Sequence, residues 1–153
     1  MPAALVTGAS TGIGRAIALR LAQGGFDVFA GVRREEDGAA LRAADSSGRL
    51  QPVRLDVTDE VSIAGAAAHV SERVGDAGLA GLVNNAGIAV GGPLEHIDLD
   101  DLRLQLEVNV TGQVAVTQAA LPLIRRGKGR IVFTGSIGGR MALPFAATYK
   151  ESQ

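Results

Sequence analysis

The chain has no cysteine. This excludes a disulfide framework and thiol chemistry, and it fits a reducing compartment. There are only two histidines, His69 and His96, and no carboxylates clustered at ligand spacing, so no metal site is expected. No apolar run approaches the roughly 20 residues of a membrane helix. The start, Met1-Pro2-Ala3-Ala4, lacks the basic region of a signal peptide. Basic and acidic residues nearly balance, 15 against 16, for a net charge of −1. Neither nucleic acid nor an anionic membrane is therefore expected as a partner. Together these absences point to a cytoplasmic setting.

What is present is rather apolar: 153 residues, 46% hydrophobic and 20% charged. One domain of this size buries about 68–70% of its unfolded surface, so a single domain over 1–153 is expected. Glycine is abundant, at 21 residues, and three of them stand in the most informative stretch, residues 7–14, T-G-A-S-T-G-I-G. A short apolar run precedes it and helical apolar spacing follows: strand, turn, helix. Gly8, Gly12 and Gly14 suit a tight turn in which a dinucleotide's pyrophosphate approaches the backbone where no Cβ intrudes. The new helix offers free N–H groups and its positive dipole end. The spacing is G-x-x-x-G-x-G, not the commoner G-x-G-x-x-G. By itself it also fits an ordinary strand–helix turn.

The rest of the chain repeats the same alternation. Strands are expected over residues 3–6, 27–32, 52–55, 81–83 and 130–134, each nearly all apolar. Between them the first helix shows Ile13, Ala16, Ile17 and Leu21 on one face. A charged loop over 33–38 precedes a short helix. Thr58 is the expected N-cap of a helix to Val74, and Asp98 that of a long helix to Arg126. Continuous apolar strands alternating with helices predict a doubly wound parallel α/β sheet in three layers, with ligand sites at the carboxyl ends of the strands.

The unusual residues lie at those ends. Arg33 and Arg34 follow the second strand, where an acid would bind the adenosine ribose and an Arg accommodates a 2′-phosphate. NADP(H) is thus favoured over NAD(H), with Arg33 nearer the strand. The alternative is a solvated cluster in which Glu35, Glu36 and Asp37 pair with the arginines. Asp56 is either a helix-side cap or an acceptor for the adenine amino group. Asn84-Asn85-Ala86-Gly87 is either a local turn or part of a site. Asn109 shares a helix face with Leu102 and Leu106 and reads most simply as a satisfied core amide. Ser136 ends the fifth strand, and Tyr149 follows 13 residues later. A hydrolytic role for Ser136 is disfavoured, because Gly135-Ser136-Ile137-Gly138 is not a G-x-S-x-G elbow and the only histidines are His69, in a surface-type helix, and His96, in a loop.

Taken together these features resemble the short-chain dehydrogenase/reductase family, over about residues 4–149. Residues 7–14 resemble its T-G-x-x-x-G-x-G cofactor loop, Asp56-Val57 its adenine pair, and residues 84–87 its N-N-A-G strand end. The resemblance implies a Rossmann-like NAD(P)-binding domain. In it Gly8, Ser10, Thr11, Gly12, Ile13, Gly14, Arg33, Asp56, Val57, Asn85, Ala86 and Gly87 bind the cofactor. It also implies Asn109, Ser136 and Tyr149 as catalytic residues, a small alcohol or carbonyl substrate, and a homo-oligomer. The family places Lys four residues after its Tyr; here that position is Gln153, and Lys150 is adjacent instead. The family's further strands are missing. A shortened chain with impaired turnover is expected, or a non-catalytic binding half-fold whose uncovered edge recruits other chains. Apolar residues over 88–97 favour an apolar ketone or alcohol.

Overall fold

The structure, a computed structural model, describes residues 1–140 and 152. Five strands form one parallel sheet: β1 (Ala3–Val6), β2 (Asp27–Val32), β3 (Leu50–Arg54), β4 (Gly81–Asn84) and β5 (Arg130–Phe133), in the order β3-β2-β1-β4-β5. The helices are α1 (Gly12–Gln23), α2 (Glu35–Ala44), α3 (Glu60–Val74), α4 (Leu99–Leu106) and α5 (Gly112–Arg126). None of the described helices is long and apolar enough to cross a membrane.

The strands are apolar throughout because both faces are covered. Leu5 and Phe29 pack on one side with Ile63 and Val70 of α3 and Val116 and Ile124 of α5. Their neighbours Val6, Val28 and Ala30 point the other way, onto Ala18 and Ala22 of α1 and Leu41 of α2. The period-2 alternation of a strand thus divides one apolar run between two cores. The register sets Leu5 beside Phe29 and Leu82, and Leu82 beside Ile131. Winding reverses between β1 and β4, so a crevice opens at their carboxyl ends.

Four local expectations are corrected. In α1 the buried residues are Gly14, Ala18 and Ala22, whereas Ile13 is 65% exposed. The helix lies so close to the glycine turn that a Cβ on Gly14 would stand 2.2 Å from the Gly8 carbonyl oxygen, and only small residues fit that face. The charged loop is shorter than expected, because Glu35, Glu36 and Asp37 already form the first turn of α2, where the helix dipole favours acids. The N-cap of α3 is Asp59, whose carboxylate accepts from Val61 N, rather than Thr58. The long helix from Asp98 is interrupted by a π-helical segment, Glu107–Thr111, between α4 and α5.

Candidate active site

The glycine turn is shaped by two left-handed residues, Gly8 (φ 61°) and Gly12 (φ 55°). Their surroundings differ. A Cβ on Gly8 would lie 2.8 Å from Ala86 Cα, so Gly8 lets β4 approach. Nothing lies within 4 Å of the equivalent position on Gly12, which faces open space. That opening lies at the N-terminus of α1, where Thr11 makes no side-chain capping bond and the first turn carries no acid. Uncapped N–H groups beside a glycine in open space fit a dinucleotide's phosphates.

The N-N-A-G segment holds this turn in place and is not a self-contained local turn. Asn85 donates from Nδ2 to the carbonyl oxygens of Thr7 and Gly8, both at 3.2 Å. The Thr7 hydroxyl, fully buried, accepts from the backbone N–H groups of Asn85 and Ala86, both at 2.9 Å. Asn84 turns inward and donates to Thr117 Oγ1 at 2.8 Å. Thr7 was not among the residues expected at the site. Its signal was its place as the first residue of the T-G turn.

These elements surround a cavity of about 700 Å³ at the carboxyl ends of β1, β2, β4 and β5. Of the expected residues, Gly8, Ser10, Thr11, Gly12, Ile13, Arg33, Asp56, Val57, Asn85, Ala86, Gly87 and Ser136 all line it. Gly14 and Asn109 stand behind the wall. Tyr149 and Gln153 lie outside the described residues.

The two arginines separate. Arg34 forms a bidentate pair with Asp37, both bonds 3.0 Å, and lies 3.6 Å from Glu36. The Asp37 hydrogen bond, with both acidic charges, holds its guanidinium above its ordinary pKa. Arg33 makes no hydrogen bond or ion pair among the described residues, and it faces the cavity. Asp56 is no helix cap. Its Oδ1 accepts from Thr58 N at 3.0 Å and from the Thr58 hydroxyl at 2.7 Å. Those bonds, with the charges of Arg33 and Arg54, hold its carboxyl below the ordinary value against the opposing effect of burial. Among the described residues its second oxygen makes no hydrogen bond, and Asp56 lines the cavity.

On the other side, Ser136 Oγ accepts from Gly138 N at 3.0 Å, which leaves its hydroxyl proton to donate elsewhere. Asn109 lies in the π segment and is buried. Its Oδ1 accepts from Ile88 N at 2.8 Å, and Nδ2 donates to Ile88 O and Ser152 Oγ, both at 2.9 Å. Leu104 and Val108, not expected at the site, supply apolar wall beside Ile88 and Ala89. They are an i, i+4 pair, but the expected face ran through Leu102 and Leu106. Leu106 is in fact 36% exposed, and the buried positions are Gln105, Val108 and Asn109. The histidines stay away from the cavity: His69 meets Phe29 edge-on, and His96 ends a short 3-10 turn, Leu94–His96.

The model of the short chain dehydrogenase family matches residues 2–152. The chain belongs to the short-chain dehydrogenase family. It is 44% identical over 150 residues to the 3-amino-tetrahydro-pyrrolizinone reductase of Xenorhabdus hominickii, an alignment that covers 97% of this chain and 50% of the reductase. It is 46% identical over 149 residues to the 17-beta-hydroxysteroid dehydrogenase type 6 of Bos taurus, covering 97% of this chain and 46% of that one. Among solved structures, a short-chain dehydrogenase from Streptomyces avermitilis superimposes with a TM-score of 0.89 at 38% identity, over 99% of this chain and 55% of that one. An alcohol dehydrogenase from the archaeon Thermococcus sibiricus, complexed with 5-hydroxy-NADP, gives 0.88 at 29% identity, over 99% and 65%. This short-chain dehydrogenase chain spans about half the length of the curated relatives it matches.

Proposed function

We propose that this chain binds NADP(H) and belongs to an oxidoreductase that moves hydride between the nicotinamide and an apolar ketone or secondary alcohol. The observation that carries the cofactor choice is the division of labour between the arginines. Asp37 and Glu36 occupy Arg34, and Arg33 stands at the cavity with no hydrogen bond or ion pair among the described residues. A planar guanidinium there suits a 2′-phosphate. The NADP analogue on the archaeal alcohol dehydrogenase supports the same choice by likeness.

When bound, the nicotinamide supplies or accepts the hydride. Gly12 and the N-terminus of α1 would hold the pyrophosphate, and the second oxygen of Asp56 would accept from the adenine amino group. Ser136 would donate its hydroxyl proton to the substrate oxygen. Ile88, Ala89, Leu104 and Val108 make the remaining wall apolar, which favours an apolar substrate. Tyr149 would exchange the proton. A Tyr titrates near about 10 unless a cation stabilises the phenolate, and neutral Gln153 cannot do so. Turnover well below that of relatives with Lys at this position is therefore expected.

A titration with NADPH and, separately, NADH, followed by nicotinamide fluorescence, tests the reading. NADPH should bind about tenfold tighter or more, a difference of about 1.4 kcal/mol. Arg33→Ala should abolish the preference, whereas Arg34→Ala should keep it. Equal affinities would overturn the NADP(H) assignment. Binding of neither would favour the second reading, a partner-binding fold without cofactor.

A further inference from the structure

Residues 86–90 leave the end of β4, and 86–89 form one side of the cavity. Alternate residues of this segment turn their backbone groups towards the α4–α5 helix, and three carboxamide side chains meet them in order. Gln113 donates from Nε2 to Ala86 O at 3.0 Å. Asn109 clamps both the N–H and the carbonyl of Ile88. Gln105 Oε1 accepts from Val90 N. Rungs at 113, 109 and 105 thus face rungs at 86, 88 and 90.

The spacings match. Four residues of helix rise about 6 Å, and two residues of an extended chain advance about 6.4–6.8 Å. Helical twist should spoil the match, because each four-residue step overshoots a full turn by about 40°. The π segment lies between the outer rungs. Its i→i+5 closure winds less per residue and takes out part of that drift. Gln105 is the informative member. It is fully buried, and its Nε2 is one of only two buried side-chain N or O atoms without a partner among the described residues. An apolar side chain of the same shape would avoid that loss. Only the bond to Val90 gives the amide a use.

We propose that Gln105, Asn109 and Gln113 form a carboxamide ladder that holds residues 86–90, so that 86–89 make a fixed wall of the cavity. Gln105 is the positioning residue at its outer end, where Ala89 and Leu104 face the ligand space. The ladder stands on the geometry alone. Only the identity of what the wall faces rests on the oxidoreductase reading.

The test is amide hydrogen exchange of the whole chain, read residue by residue by NMR, with NADPH titration alongside. Gln105→Met keeps the volume and removes the acceptor. Val90 N–H should then exchange about tenfold faster or more, the factor carried by one ordinary hydrogen bond. Ile88, still held by Asn109, should keep its protection. Gln105→Glu, kept neutral by burial, retains an acceptor oxygen and should restore Val90 protection. Unchanged Val90 exchange in Q105M would overturn the ladder, as would protection lost uniformly along 86–90 with a lowered melting temperature. If Q105E does not fold, the Q105M pattern still decides. Failure of wild type to bind NADPH would overturn the cofactor reading and not the ladder, because exchange needs no ligand.

Discussion

Gly12 and Gly14 lie two residues apart and fail differently when given a side chain. A Cβ on Gly14 would collide with the Gly8 carbonyl oxygen, so Gly14→Ala cannot keep the turn. A Cβ on Gly12 meets nothing within 4 Å. The cost there is the left-handed backbone, roughly 1–2 kcal/mol. Gly12→Ala should therefore fold, with a lowered melting temperature, and should lose at least about tenfold in NADPH affinity because its methyl stands where phosphate would approach. Calorimetry and titration on the same sample separate the two effects. Asp56 sets a second residue-scale expectation. Its folded pKa is held below the ordinary 3.8, so the unfolded chain binds the proton more readily. The stabilisation is present above the unfolded value and disappears as pH falls through the lower folded one. Asp56→Asn should flatten the fall of melting temperature with pH below about 4.

Among elements, strands were legible and helix boundaries less so. A strand buried on both faces needs apolar residues at every position, and residues 27–32 announce that without any knowledge of their neighbours. The start of α2 was hidden because acids in a first helical turn look like a solvated loop. The π segment left no periodic signal, since one of its two buried residues is an amide, Asn109, and the buried position before it in α4 is another, Gln105. The joint between β4 and α5 depends on one hydroxyl. Thr117 Oγ1 accepts from Asn84 Nδ2 and donates to Gln113 O. The other end of the Asn84 amide, Oδ1, has no partner among the described residues. Thr117→Val should leave both ends of a buried amide unsatisfied and cost about 1–3 kcal/mol. Thr117→Ser should cost much less. Denaturant unfolding of the two variants checks this, and equal stabilities would overturn it.

For the whole molecule, the two sheet edges differ. β3 carries Pro52, which blunts pairing. β5 has a neighbour only on its β4 side among the described residues, yet Val132 and Phe133 are 53% and 54% exposed. An apolar strand with an open edge is a template for another chain. Light scattering should show mass rising with concentration. Val132→Lys should suppress that rise without lowering the melting temperature. A monomer at every concentration would count against association through β5.

The sequence by itself determined the alternation of strands and helices, the parallel sheet, and the glycine turn. Each follows from local chemistry: which residues tolerate burial on two faces, and which tolerate a positive φ. Only the tertiary structure decided which of two adjacent arginines reaches the cavity, because that depends on Asp37 folding back in α2. Only it showed that Asn85 binds the loop of a different strand and that Asn109 clamps Ile88. Those partners lie 77 or 78 and 21 residues away in sequence. Hydrogen bonds across such separations leave no periodicity in the chain; they exist once the sheet has brought its carboxyl ends together.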